Sequence, residues 1–188
     1  MYALVENNTI TKYFNSPKGF TLGDLQYPSD LFMKWSVEEK EAIGIYEVVF
    51  DNSNFKDQTW YINTNQTFAF ANDTVTASYG TAIPKAHADV IETDDEGVES
   101  TIPGLKTNLI KDLKTNVANE LAKTDWYITR NTEKSTAIPS AISTHRDSVR
   151  TTQASIEAQI TGAADTAALE TLHTYTTTDG VQSRPLGE

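Results

Sequence analysis

The chain predicts an α+β fold in which a small antiparallel β-meander module precedes a helical-hairpin module. Three observations carry that expectation. Short runs of β-branched and aromatic residues, separated by Asn/Asp turns, fill the first half. Six acidic residues without a basic one follow between Ala86 and Pro103. Beyond Gly104 the apolar residues recur every three or four positions.

Tyr2–Glu6 and Thr9–Tyr13 read as two strands about Asn7-Asn8, a pair that tolerates positive φ and suits a tight hairpin turn. Pro17-Lys18-Gly19 interrupts the chain. Ser36-Val37-Glu38-Glu39 has the spacing of a capping box, so a short helix is expected over Val37–Ala42, ended by Gly44. Ile45–Phe50 reads as a strand. Thr59–Ile62, Thr67–Phe70 and Thr74–Tyr79 then form the expected meander, turning at Asn63-Thr64-Asn65 and Asn72-Asp73. Its apolar face should carry Phe68, Phe70, Val75, Ala77 and Tyr79. These elements make a β-rich module over residues 1–85.

Residues 86–103 contain Asp89, Glu92, Asp94, Asp95, Glu96 and Glu99, and are expected to be an extended acidic linker. The helical module should occupy residues 104–175. Leu105, Leu109, Leu113, Val117 and Leu121 mark one face of a helix ending near Lys123. Pro139-Ser140 opens a second helix, with Ile142, Val149 and Ile156 spaced by sevens and Gly162 at its end. Arg146, Thr152 and Gln153 narrow its apolar stripe to the width of a coiled-coil seam or a two-helix hairpin; an ordinary surface helix is the alternative. A third helix is expected over Asp165–Tyr175, and a loose tail over residues 176–188.

Composition excludes several functions. The 188 residues include no cysteine, so no disulfide, thiolate metal site or cysteine nucleophile exists. A net charge of −11 opposes binding to nucleic acid or to an anionic membrane surface. The first residues have neither the basic start nor the apolar run of a signal peptide. His87, His145 and His173 lie far apart with no metal-ligand spacing, and no nucleophile or phosphate-loop motif occurs. Glu92, Asp94, Glu96 and Gly97 match the start of a calcium loop, but Pro103 stands where its bidentate carboxylate belongs. Trp60, Tyr61, Phe68 and Phe70 suit a sheet core better than a sugar-stacking surface. No catalytic residue, cofactor or metal is expected.

The most distinctive stretch is Leu121-Ala122-Lys123-Thr124-Asp125-Trp126-Tyr127-Ile128-Thr129-Arg130, then Thr136-Ala137-Ile138-Pro139 and His145-Arg146-Asp147-Ser148-Val149-Arg150. Over residues 104–162 it resembles a C-terminal module of tailed-bacteriophage tail proteins and tail-fibre assembly proteins, with His145 where that family usually has tyrosine. The meander from Asp57 to Gly80 is similar to segments attached to this module in marine phages. The resemblance implies a non-enzymatic virion protein of the tail or tail-fibre base, made in the host cytoplasm. Its partners would be other tail or fibre proteins, and it would be a homo-oligomer. The alternative is a tail-fibre assembly chaperone absent from mature particles.

Read on its own residues, the motif is a clasp. Thr124 and Asp125 can cap a helix start, and Trp126 provides a large apolar anchor. Arg146 and Arg150, four apart on one helix face, can pair with Asp125 or Glu133 or stack on Trp126.

Overall fold

The computed structural model describes residues 1–178 and 181–184, and divides into two compact units, Met1–Ile83 and Pro84–Glu188. Helices and mixed sheets make the fold α+β.

In the first unit β1 (Tyr2–Glu6) and β2 (Thr9–Phe14) form the expected hairpin. Asn7 and Asn8 have φ of 52° and 60°, the paired positive values of a type I′ turn. A hairpin that the sequence pattern missed follows, β3 (Phe20–Leu22) with β4 (Leu25–Tyr27), then a single-turn helix α1 (Leu31–Lys34). Helix α2 (Val37–Glu41) begins with a complete capping box. The Ser36 hydroxyl accepts the Glu39 N–H, and the Glu39 carboxylate accepts the Ser36 N–H. Gly44 then turns the chain at φ 78°, where a Cβ would lie 2.4 Å from the Val5 carbonyl oxygen. Only glycine fits there, and its carbonyl accepts the Val5 N–H.

Strand β5 (Ile45–Asp51) pairs antiparallel with β1. After the two-residue β6 (Tyr61–Ile62), β7 (Gln66–Ala71) and β8 (Thr74–Tyr79) form a hairpin about Asn72-Asp73, again with both φ positive. Here the simple meander is corrected. Strand β8 lies parallel to β5, giving a mixed sheet in the order β2-β1-β5-β8-β7. Of Thr59–Ile62 only Tyr61–Ile62 is strand. The two-residue β9 (Ile83–Pro84) ends the region.

The sheet buries both faces. Leu4, Phe14 and Ile45 pack with Phe20, Leu31 and Phe32 of the overlying hairpin and helix. The rings of Phe14 and Phe32 lie 5.1 Å apart and those of Phe14 and Phe20 4.9 Å, tilted as aromatic pairs prefer. The opposite face carries Ala3, Val5, Val48, Val75 and Ala77, flanked by Tyr46, Phe68 and Phe70. Cross-strand partners Phe68–Ala77 and Phe70–Val75 share this face, as their alternation with exposed Thr67 and Ala69 requires. The sheet curls until its two edges meet, with the Tyr13 ring of β2 4.7 Å from Phe68 of β7.

In the second unit the expected linker is corrected to a hairpin. Strands β10 (Val90–Thr93) and β11 (Glu99–Ile102) pair in register, with Gly97 in the turn at φ 81°. Local bonds stabilise what acidic composition argued against. The Asp94 carboxylate accepts the N–H groups of Glu96 and Val98.

Helix α3 (Leu105–Ala122) follows, and its first donors are met by the chain that leads into the hairpin. Leu105 and Lys106 donate N–H to the carbonyls of Ala86 and His87. Asp89 accepts from the Gly104 N–H at 2.8 Å and the Thr107 hydroxyl at 2.6 Å. A side chain from fifteen residues upstream thus does the work of an N-cap. Gly104 lets the two backbones approach, since a Cβ would lie 2.3 Å from the Ala88 oxygen.

Helix α4 (Asp125–Lys134), which starts at the expected Thr124-Asp125, precedes α5 (Ser140–Gly162), and α6 (Thr166–His173) is capped by Asp165. Helices α3 and α5 run antiparallel. Lys106 donates to the Thr161 carbonyl, Lys114 pairs with Glu157 at 3.0 Å, and Glu120 meets His145. Residues 176–188 were expected to be loose. Thr176–Thr178 (β12) and Val181–Ser183 (β13) instead pair as strands, and the rest of that stretch, apart from Arg184, lies outside the described residues.

Candidate functional site

The aromatic residues of the meander pack inward. Trp60 is buried, and Tyr61, Phe68 and Phe70 are half-buried, with Phe70 4.8 Å from Tyr46. Phe68 and Phe70 pack on the face of the sheet that carries Ala3, Val48 and Val75.

The histidines do not converge. His87 contributes its backbone carbonyl to α3, and His173 Nδ1 lies 2.8 Å from the Leu169 carbonyl one turn back. His145 Nε2 lies 3.2 Å from Glu120 Oε1. Glu120 also binds Lys123, and that bond, followed by the His145 contact, holds its carboxyl below the usual range. Ser148 and Thr152 line the same groove, but neither hydroxyl is hydrogen-bonded to the imidazole. Among the described residues no three His, Asp or Glu side chains gather as metal ligands.

The Thr124–Arg146 region does form a clasp, arranged differently from the expectation. Arg146 of α5 is the buried member, 7% exposed. Its Nη1 donates to the Leu121 carbonyl at 2.7 Å and to the Thr124 hydroxyl at 2.6 Å, and its Nη2 pairs with Asp125 at 2.9 Å. The guanidinium therefore sits where the carbonyl end of α3 meets the first turn of α4, which carries Asp125. The carbonyl end of α3 and the Asp125 carboxylate favour a cation there and outweigh the opposing N-terminal dipole of α4. Thr124 does not cap α4. Its hydroxyl donates back to Leu121 and accepts from Arg146.

Two other members are corrected. Arg150 stands outside the clasp, 3.4 Å from Asp147 on its own helix. Trp126 is 51% exposed and anchors nothing inside the unit. Asp125 faces Arg146, and the helical step of about 100° to the next residue turns the indole away from that partner. Its neighbours are Tyr127, with ring centroids 3.7 Å apart, and Arg130, whose guanidinium lies 4.8 Å from the indole centroid and 5.6 Å from that of Tyr127. Arg130, not Arg146 or Arg150, is the stacked cation. Its Nε is buried without a hydrogen-bond partner. The i, i+4 spacing of Trp126 and Arg130 was the available signal for this pair.

The seam between α3 and α5 is the second feature. No residue of α3 is fully buried. The stripe Leu105, Leu109, Leu113, Val117 and Leu121 is half-buried throughout, and α5 buries only Arg146 and Ile160. An open groove of about 290 Å³ runs along the seam, with Leu113, Val117, Val149 and Ile156 as its apolar wall. The apolar residues of the seam are thus half-buried and leave a shallow, open groove between the two helices.

Comparisons of the chain with protein-family models, curated proteins and solved structures returned no match.

Proposed function

We propose that the chain is a non-enzymatic structural protein of a tailed-bacteriophage virion. It would sit at the tail or tail-fibre base and act through contacts with other tail or fibre proteins. The observation that carries this reading is the half-covered helical layer. Eighteen residues of α3 contain no buried side chain, and the groove beside them is apolar and open. Such a surface suits a protein partner better than a small substrate, because an open groove cannot exclude water from a reaction. The resemblance of residues 104–162 to tail-protein modules supplies the class of partner. An acidic surface, net −11, fits assembly on protein rather than on nucleic acid or membrane.

Mass spectrometry of purified particles tests the reading. Stoichiometric recovery in multiples of three or six is the expected result. Absence from particles, with fibres failing to fold when the protein is deleted, would instead make it a tail-fibre assembly chaperone.

A further inference from the structure

Hairpin β10–β11 has no cover on either face. Every residue of both strands is exposed, including Val90, Ile91 and Ile102, and Val98 is exposed in its turn. An isolated two-stranded ribbon is marginal in water, so this one gains most from a partner surface. Its charge is entirely acidic, with Asp94, Asp95 and Glu96 at the tip.

A complementary surface lies on α4. Trp126, Arg130 and Lys134 recur every fourth residue and share one helix face, with the exposed Glu133 at its margin. Among the described residues neither Arg130 nor Lys134 has an ion-pair partner, and Arg130 is pre-oriented by stacking on Trp126 and Tyr127. Tryptophan, tyrosine and arginine are the residues most enriched among interface hot spots. The exposed valines and isoleucines of the hairpin match the indole, and its carboxylates match the cations.

These surfaces lie at opposite ends of α3. The hairpin is rooted at Gly104, whereas α4 begins after Lys123; the eighteen intervening helical residues span about 27 Å. The open groove occupies the middle of the α3–α5 seam, and His173 and Arg184 border the seam toward the hairpin end. The segment from Leu105 to His173 contains eight acidic and eight basic residues, so the helices are neutral by themselves and the excess acid of the unit is concentrated in the hairpin. Parallel packing would set acidic hairpin against acidic hairpin; antiparallel packing sets each hairpin against the cations of α4.

We propose that a second copy of this chain occupies the groove, antiparallel across a two-fold axis, with each acidic hairpin seated on the other copy's Trp126–Arg130–Lys134 face. The contact is isologous, so a single pairing rule is satisfied twice. It rests on the reading of the helical layer as a protein-docking surface, but not on placement in a virion.

Sedimentation of the full chain, with charge reversals on each side, tests it. The unsubstituted chain should be a dimer. Arg130→Glu with Lys134→Glu, or Asp94→Lys with Asp95→Lys and Glu96→Lys, should each weaken dimerisation about ten-fold or more. Combining all five should restore affinity to within about three-fold, which a merely misfolded variant could not do. A monomer at about 100 μM overturns the proposal, as does a dimer indifferent to both reversals or a combined variant no tighter than the weaker single set. A dimer absent from particles would defeat only the virion reading, and a stoichiometric virion component that is monomeric when purified would defeat only this one.

Discussion

Arg146 and Leu121 meet at the corner of the helical unit, where a buried guanidinium donates to a helix-end carbonyl at 2.7 Å. Arg146→Ala leaves that carbonyl and the Thr124 hydroxyl without their charged donor. Because Asp125 is largely solvated, the loss falls mainly on those two bonds and should be about 2–3 kcal/mol in chemical denaturation. Arg150→Ala, which breaks only an exposed pair within one helix, should change stability by less than about 0.5 kcal/mol. Equal effects would place the clasp elsewhere.

The two tryptophans should behave oppositely. Trp60 is 6% exposed in the first unit, and Trp60→Ala should cost about 3–5 kcal/mol. Trp126→Ala removes an exposed ring and should cost less than about 1 kcal/mol in thermal or denaturant unfolding. A large loss at Trp126 would mean that its ring is covered in solution.

Asp89 makes the start of α3 sensitive to acid. Its bond from the Thr107 hydroxyl, then that from the Gly104 N–H, holds its carboxyl below the usual value. A depressed carboxylate contributes stability above its unfolded value of about 3.9, and loses it as pH falls through the lower folded value. Amide exchange at Gly104, measured relative to its intrinsic rate at each pH, should therefore accelerate in acid below that range. Asp89→Asn should accelerate it at neutral pH and flatten the acid dependence; a variant matching the parent at both pH values would remove Asp89 from this role.

Gly104 tolerates no side chain where it stands. Gly104→Ala puts a carbon against the Ala88 carbonyl, and backbone must shift to admit it. The expected cost is about 1–3 kcal/mol, with proteolysis entering first between Ala86 and Pro103. Gly162→Ala, where the added carbon meets open space, serves as the control and should not open that site.

Local chemistry was the legible part of this chain. Paired asparagines marked the Asn7-Asn8 turn, Ser36 and Glu39 marked α2, and the alternation of Phe68, Phe70, Val75 and Ala77 marked the buried face of β7–β8. What local pattern could not carry was strand neighbourhood. Nothing in Val48 or Val75 records that β5 and β8 run side by side in the same direction, because that pairing depends on where the intervening chain travels. Three-residue strands such as Phe20–Leu22 are too short to show a period. The acidic hairpin was hidden because its stability lies in Asp94 bonding its own turn, which charge counting misses.

The clasp was legible in its charges and not in its geometry. Asp125 and Arg146 could be paired from opposite sign and approximate position, and they are paired. Trp126 was given an interior role on size alone. Once Asp125 starts a helix toward Arg146, the phase of that helix decides where the indole goes. The start of helix α4 was legible at Thr124-Asp125, but its length was not, because Trp126, Tyr127, Ile128 and Thr129 have modest helix propensity.

The curled sheet of the first unit also sets an order of events in time. Strand β1 pairs with β2 across a two-residue turn, but its other edge must wait for β5, and Tyr13 waits for Phe68. Closing loops of that length delays the barrier crossing, and the contacts of α3 with α5, up to Lys106 with Thr161, ask for closures of similar size. On the ribosome β2 therefore stays an open, templating edge until Phe68 arrives to shield it.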